Sequence, residues 1–258
     1  MRSPLVISRL MLAAATVAVV GCRRGVDLEV SRKFSAAQQA FNAAESPEDF
    51  RGVAAQYQEI LDRGAISGAV LYNQGNAWMR ADCPGRAIAA YRQARRYRPR
   101  DPYLEANLRY ALATDRTAAR RRPMIEYLLF WQNRLSYPAK FHLTAAAAFV
   151  AFVLGVIGLF VARRLLGRLA VAGVALTALL AFSAGYDWYR YDHIVHGVVV
   201  QQEVTARKGD SADYEPAFTE PLAEGTEFRL LGRRNGWMLI RLAEGQEGWI
   251  EDDAAVVY

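Results

Sequence analysis

Cys83, His142, His193 and His196 are the side chains in this 258-residue sequence best suited to nucleophilic or metal chemistry. A cysteine attacks as its thiolate, so it needs a base within hydrogen-bond reach. Cys83 stands between two amphipathic segments, whereas all three histidines stand within or beside strongly apolar stretches further downstream. No base is expected to reach the thiol, and nucleophilic catalysis is not expected. His193-x-x-His196 offers two ligands where a zinc site needs three or four. No phosphate loop or paired-glycine motif is present, so no nucleotide cofactor is expected. The chain reads as a protein that is not an enzyme and carries no cofactor.

Charge comes next. There are 32 Lys and Arg against 26 Asp and Glu, and Arg92, Arg95, Arg96, Arg98 and Arg100 crowd into nine residues. Arg92, Arg95 and Arg96 fall at i, i+3 and i+4, so they share one helix face while Tyr91 and Ala94 point away from it. A solvated face is expected. No stacking aromatics interleave with these arginines as a single-strand binder needs, so nucleic acid is not an expected partner. An acidic partner or anionic lipid headgroups are the alternatives.

The elements that must position these residues are unevenly distributed. Residues 1–22, ending "LMLAAATVAVVGC", read as a signal peptide: basic Arg2 and Arg9, an apolar core too short to span a bilayer, then Gly21 and Cys22. The last four residues resemble a lipobox, which makes Cys22 a candidate for lipidation; a conventional or uncleaved signal is the alternative. Residues 141–186 hold two uncharged runs, Phe141 to Ala162 and Leu169 to Tyr186, expected to form two transmembrane helices. Their six-residue connector carries Arg163, Arg164 and Arg168. Short basic loops resist translocation, so the connector is expected in the cytoplasm and both flanking regions outside it. Arg120, Arg121 and Arg122 argue mildly the other way, from the limit of the distance at which that bias acts.

Within residues 30–122, Leu71, Gln74, Gly75, Trp78, Ala87, Tyr91, Ala94 and Pro99 stand at the 34-residue spacing of a helix-turn-helix repeat, and only Gln74 departs clearly from its residue pattern. This stretch resembles a tetratricopeptide repeat. Phe41, Ala44, Val53, Tyr57 and Ile60 form a degenerate earlier copy, and Pro102 to Thr117 reads as a further covering helix. Asn42 and Asn76 lie 34 residues apart, and the resemblance implies a peptide-binding groove at such positions. The accompanying lysines are missing, with Tyr72 at one such position, so carboxylate recognition is not implied and a structural asparagine is the alternative. Residues 123–140 are expected to form a linker.

Residues 194–258 change to short β-type segments, with turns at Asn235-Gly236 and Gly245. Arg207, Gly209, Gly225, Trp237, Gly248, Trp249 and Ile250 make this region similar to a bacterial SH3-like barrel. Trp237 and Trp249 are its candidate surface, with plain packing as the alternative. The expected fold is therefore multidomain: an all-α tetratricopeptide repeat, a transmembrane helical hairpin and a small all-β SH3-like barrel.

Signal, repeat, terminal helix, two membrane helices and barrel, in that order, resemble the BatE-like aerotolerance-associated proteins. The resemblance implies a non-enzymatic scaffold in a bacterial inner membrane, beside von Willebrand factor A domain membrane proteins and a MoxR-type ATPase. Its implied partners are proteins and membrane lipid. The alternative is a peptidoglycan-binding module that recruits envelope enzymes.

Overall fold

The computed structural model describes residues 28–113, 132–161 and 164–258. The expected signal with Cys22, the Arg120 to Arg122 cluster, residues 114–117 of the covering helix and residues 123–131 of the linker lie outside them.

The amino-terminal half is a series of antiparallel helices: α1 (28–43), α2 (Pro47–Asp62), α3 (Gly68–Arg80), α4 (Pro84–Tyr97) and α5 (Pro102–Ala113). Local chemistry sets their ends. Ser46 and Asp49 bond reciprocally to each other's backbone N–H at the start of α2, a capping box followed by Pro47 at the first helical position. The Ser67 hydroxyl caps α3 through Val70 N–H at 3.2 Å, and Asp101 Oδ1 caps α5 through Tyr103 and Leu104 N–H at 2.9 and 3.2 Å. Gly64, with φ of 78°, turns the chain after α2 in a conformation that few other residues adopt readily.

Two connected cores result. Ala37, Val53, Ala54, Tyr57, Ile60, Val70 and Ala77 join α1, α2 and α3. Leu71, Ala87, Ile88, Tyr91, Ala94, Leu104 and Leu108 join α3, α4 and α5, and the second core also takes in Val198 from the far end of the chain.

Helices α6 (Tyr137–Val161) and α7 (Arg164–Trp188) pack side by side as a hairpin, each 25 residues long. At 1.5 Å per residue each reaches about 37 Å, and both are long and apolar enough to cross a membrane. Their large side chains, among them Phe149, Phe152, Leu159, Phe160, Val171 and Phe182, face outward. A soluble core helix would bury them. Gly173 and Ala151 meet so closely that a side chain at 173 would collide.

The expected six-residue connector is shorter in the structure. Only residues 162 and 163 separate the two helices, and Arg164 and Arg168 belong to α7. A charge interrupts an apolar run without interrupting a helix, and arginine is a good helix former. The same reasoning extends the hairpin beyond 141–186 at both outer ends.

After a π-helical turn at Tyr189–His193 come β1 (His196–Val199), β2 (Glu203–Val204), β3 (Leu222–Ala223), β4 (Glu227–Arg234), β5 (Trp237–Arg241), β6 (Glu247–Glu251) and β7 (Ala255–Val257). Five strands form an antiparallel sheet in the order β6-β5-β4-β1-β7, and β2 pairs with β3. Val199, Phe228, Met238, Ile240 and Ile250 lead its core. Asn235 and Gly236, with φ of 54° and 80°, close the β4–β5 hairpin as expected, and Gly245 turns β5 into β6.

Candidate functional site

Helix α4 is built to be buried on two sides. Its Ala87, Tyr91 and Ala94 face the other helices, while elsewhere it meets β1, β7 and α6, and its Arg96 lies over the Tyr191 ring in the turn that follows α7. At its first turn the Gly85 N–H donates to Glu224 Oε1 at 3.0 Å, and a side chain at position 85 would run into the Val199 carbonyl. Burial pushes the Glu224 carboxyl above its ordinary pKa, against the pull of that N–H and of Arg86.

Two turns on, Arg92 Nε and Nη2 donate to the two oxygens of Glu227, each at 2.7 Å. The side chains are only 10% and 19% exposed, and Tyr258 O–H donates to Glu227 Oε1 at 2.8 Å. Burial opposes the Arg92 cation, but the Glu227 hydrogen bonds and charge outweigh it and hold its pKa above the usual value. Arg96 lies 4.7 Å from the centre of the Tyr191 ring. Burial, followed by the Arg92 charge, depresses Arg95.

The expectation of a solvated arginine face is therefore corrected. Arg92 and Arg96 meet residues that follow them by 135 and 95 positions, a distance at which helical periodicity carries no information.

Among the expected groove residues, Asn76 is engaged internally. Its side-chain oxygen accepts from Tyr91 O–H at 2.8 Å and from Asn107 Nδ2 at 2.9 Å, and Asn107 also donates to Tyr72 O–H at 3.1 Å. The four residues tie α3, α4 and α5 together. Burial, followed by Tyr72, raises the Tyr91 hydroxyl pKa, while Asn107 works against the rise. Asn42 is exposed on α1, and no hydrogen bond joins it to this group among the described residues.

The expected packing residues are placed as follows. Gly75 lies against the Tyr91 ring, so that a side chain at 75 would collide with it. Ala87 is fully buried. Trp78 is partly buried with Arg86 5.1 Å from its ring centre, and Pro99 follows the end of α4. Gln74, which departs from the repeat pattern, uses its polar head to donate to Gln58 Oε1 at 2.8 Å.

Sequence reasoning missed a polar group at the outer end of the hairpin. Lys140 Nζ meets Asp187 Oδ2 at 2.5 Å, with side chains 0% and 6% exposed. Gln132 Nε2 donates to Asp187 Oδ1 at 2.7 Å, and Ser183 O–H donates to Gln132 Oε1 at 2.7 Å. The available signal was a lysine just outside one apolar run and an aspartate just outside the other.

On the sheet, the register pairs Leu239 with Trp249, so Trp237, Leu239 and Trp249 share one face while Met238, Ile240 and Ile250 point into the core. The Arg234 guanidinium lies 5.4 Å from the Trp249 ring centre and bonds Asp210 at 2.7 and 2.9 Å. That hydrogen bonding lowers the Asp210 pKa.

Cys83 Sγ is 3.4 Å from the Ala81 carbonyl, and His193 packs against Trp188 and Tyr189 at 4.7 and 5.4 Å between ring centres. No group of three metal-ligating side chains occurs among the described residues. What the arrangement offers is a helical region and a sheet joined along α4. Compared with protein-family models, curated proteins and solved structures, the chain matches none.

Proposed function

We propose that this chain is a membrane-anchored scaffold whose helical repeat and SH3-like domain lie together on the extracytoplasmic side of a bacterial inner membrane. The observation that carries this reading is the α4–sheet junction at one end of the hairpin, where Arg92, Glu227 and Tyr258 join regions separated in sequence by both apolar helices. Two domains held in one orientation offer partners a fixed spacing, which suits an adaptor. The internal use of Asn76 shifts the expected tetratricopeptide groove from peptide binding towards structural support.

The order of segments supports a BatE-like role, with von Willebrand factor A domain membrane proteins as the partner class. Peptidoglycan binding is the second reading, favoured by the Trp237–Leu239–Trp249 strip on the face of the sheet opposite Met238, Ile240 and Ile250. Affinity purification of the tagged full chain from membranes, beside sedimentation with purified cell wall, separates the two. The scaffold reading expects stoichiometric recovery of a von Willebrand factor A domain protein. Sedimentation with the wall and no such recovery would replace it with the second reading.

A further inference from the structure

The rings at the outer end of the hairpin gather at one height. Tyr137, the first residue of α6, packs against Phe141 and Tyr191 at 5.1 and 5.6 Å between ring centres, and Trp188 and Tyr189 at the end of α7 are half-exposed. Rings with a polar edge collect at both boundaries between hydrocarbon and headgroups, so their level follows without a choice of leaflet. The helical region comes down to the same level. Arg96 on α4 lies 4.7 Å from the Tyr191 ring centre, and the corner from α4 into α5 faces the residues before α6 across an open cleft lined by Pro99, Pro102, Tyr103 and Ser136. The uncharged run of α6 begins at Phe141, so Ser136 stands about 7 Å outside the hydrocarbon. That is the depth of the headgroup layer on one side of a bilayer. Tyr103 is 74% exposed there.

We infer that the α4–α5 corner is seated in the headgroup layer of the leaflet where α6 begins, with the Tyr103 ring as its anchor. The partner is the bilayer surface itself, through the interfacial carbonyls and headgroups of uncharged phospholipid. A tyrosine ring buries its apolar body beside the upper acyl chains and leaves its hydroxyl to bond in the wet polar layer. No net charge is needed at the corner, where Asp101 is paired with Arg98. The corner is also stiff before it docks. Pro99 and Pro102 flank it, and Asp101 caps α5 through Tyr103 and Leu104 N–H, so seating it orders little new chain. Seated there, the corner fixes the height of the helical region above the membrane. The inference rests on the membrane reading of the hairpin.

The test uses the full chain with Cys22 and Cys83 replaced by serine, purified and reconstituted in phosphatidylcholine vesicles. A nitrobenzoxadiazole label is placed on one introduced cysteine at a time, and its quenching is read with a nitroxide on the lipid headgroup or midway along the acyl chain. Tyr103→Cys should be quenched by the headgroup nitroxide at least about twice as strongly as Gln39→Cys on α1, because only the first lies in the polar layer. Both positions are exposed, so the label disturbs no core. With the label on Arg100→Cys, also exposed, Tyr103→Asp should lower headgroup quenching about twofold, and Tyr103→Trp should preserve it.

Equal quenching at positions 103 and 39 would overturn the inference, and so would a label on Arg100→Cys that is indifferent to Tyr103→Asp. Phe152→Cys, on the outward face of α6, tests the membrane reading alone and should be quenched by the mid-chain nitroxide. If it is quenched while position 103 behaves like position 39, the hairpin keeps its membrane role and only the seat is lost. If Phe152→Cys escapes both nitroxides, the membrane role and the seat fall together.

Discussion

The Arg92–Glu227 pair shows how a single residue joins distant parts of this chain. Removing one member of a buried pair strands the other charge, at a cost of about 3 kcal/mol. Arg92→Gln should therefore lower the unfolding free energy of the full chain in detergent by about that amount, whereas Arg92→Leu with Glu227→Leu should recover most of it. Arg96→Gln loses a ring contact and should cost about 1 kcal/mol. An Arg92→Gln chain that melts like wild type would show that the junction does not hold.

Glu224 adds a pH dependence of defined sign. Its carboxyl titrates above its ordinary 4.5 when docked, chiefly through burial, so the folded state holds the proton more tightly than the unfolded state. Its contribution to stability is largest below pH 4.5 and declines as pH rises through the elevated value. Glu224→Gln should flatten that decline, as read from melting midpoints across the acid range. Neither glutamate was legible as a partner, because the pairing depends on tertiary contact. The arginine spacing was legible, but its covered state was not.

At the scale of elements, α3 and α4 were the most readable as a pair of packed helices; Ala87, Tyr91 and Ala94 are buried there and Gly75 lies against the Tyr91 ring. Ala87→Arg would force a charged chain into a fully buried contact and should cost several kcal/mol, seen as lost helical signal on heating. Gly75→Ala should cost about 1–3 kcal/mol by pressing on the Tyr91 ring.

The apolar hairpin was legible as two apolar runs, but its true ends were not, because composition marks where charge begins and not where hydrogen bonding stops. Nor was the pairing of Lys140 with Asp187, which needs the two helices to lie in register. Lys140→Met leaves Asp187 buried without its cation and should loosen the outer end of the hairpin by about 3 kcal/mol, with Lys140→Met and Asp187→Leu together milder than the single change. Protection from proteolysis after Arg134 would report it.

Across the whole molecule, the proposed topology places the two regions flanking the apolar hairpin on one side of a membrane. If both helices cross, an even number of crossings returns the chain to its starting side, which is compatible with the α4–sheet contact. With Cys22 and Cys83 replaced by serine, single cysteines are placed at the exposed Gln39 on α1 and at the exposed Glu244 between β5 and β6. A membrane-impermeant maleimide is then applied to intact spheroplasts. Both positions should label without permeabilisation; labelling of one and protection of the other would contradict the proposed topology.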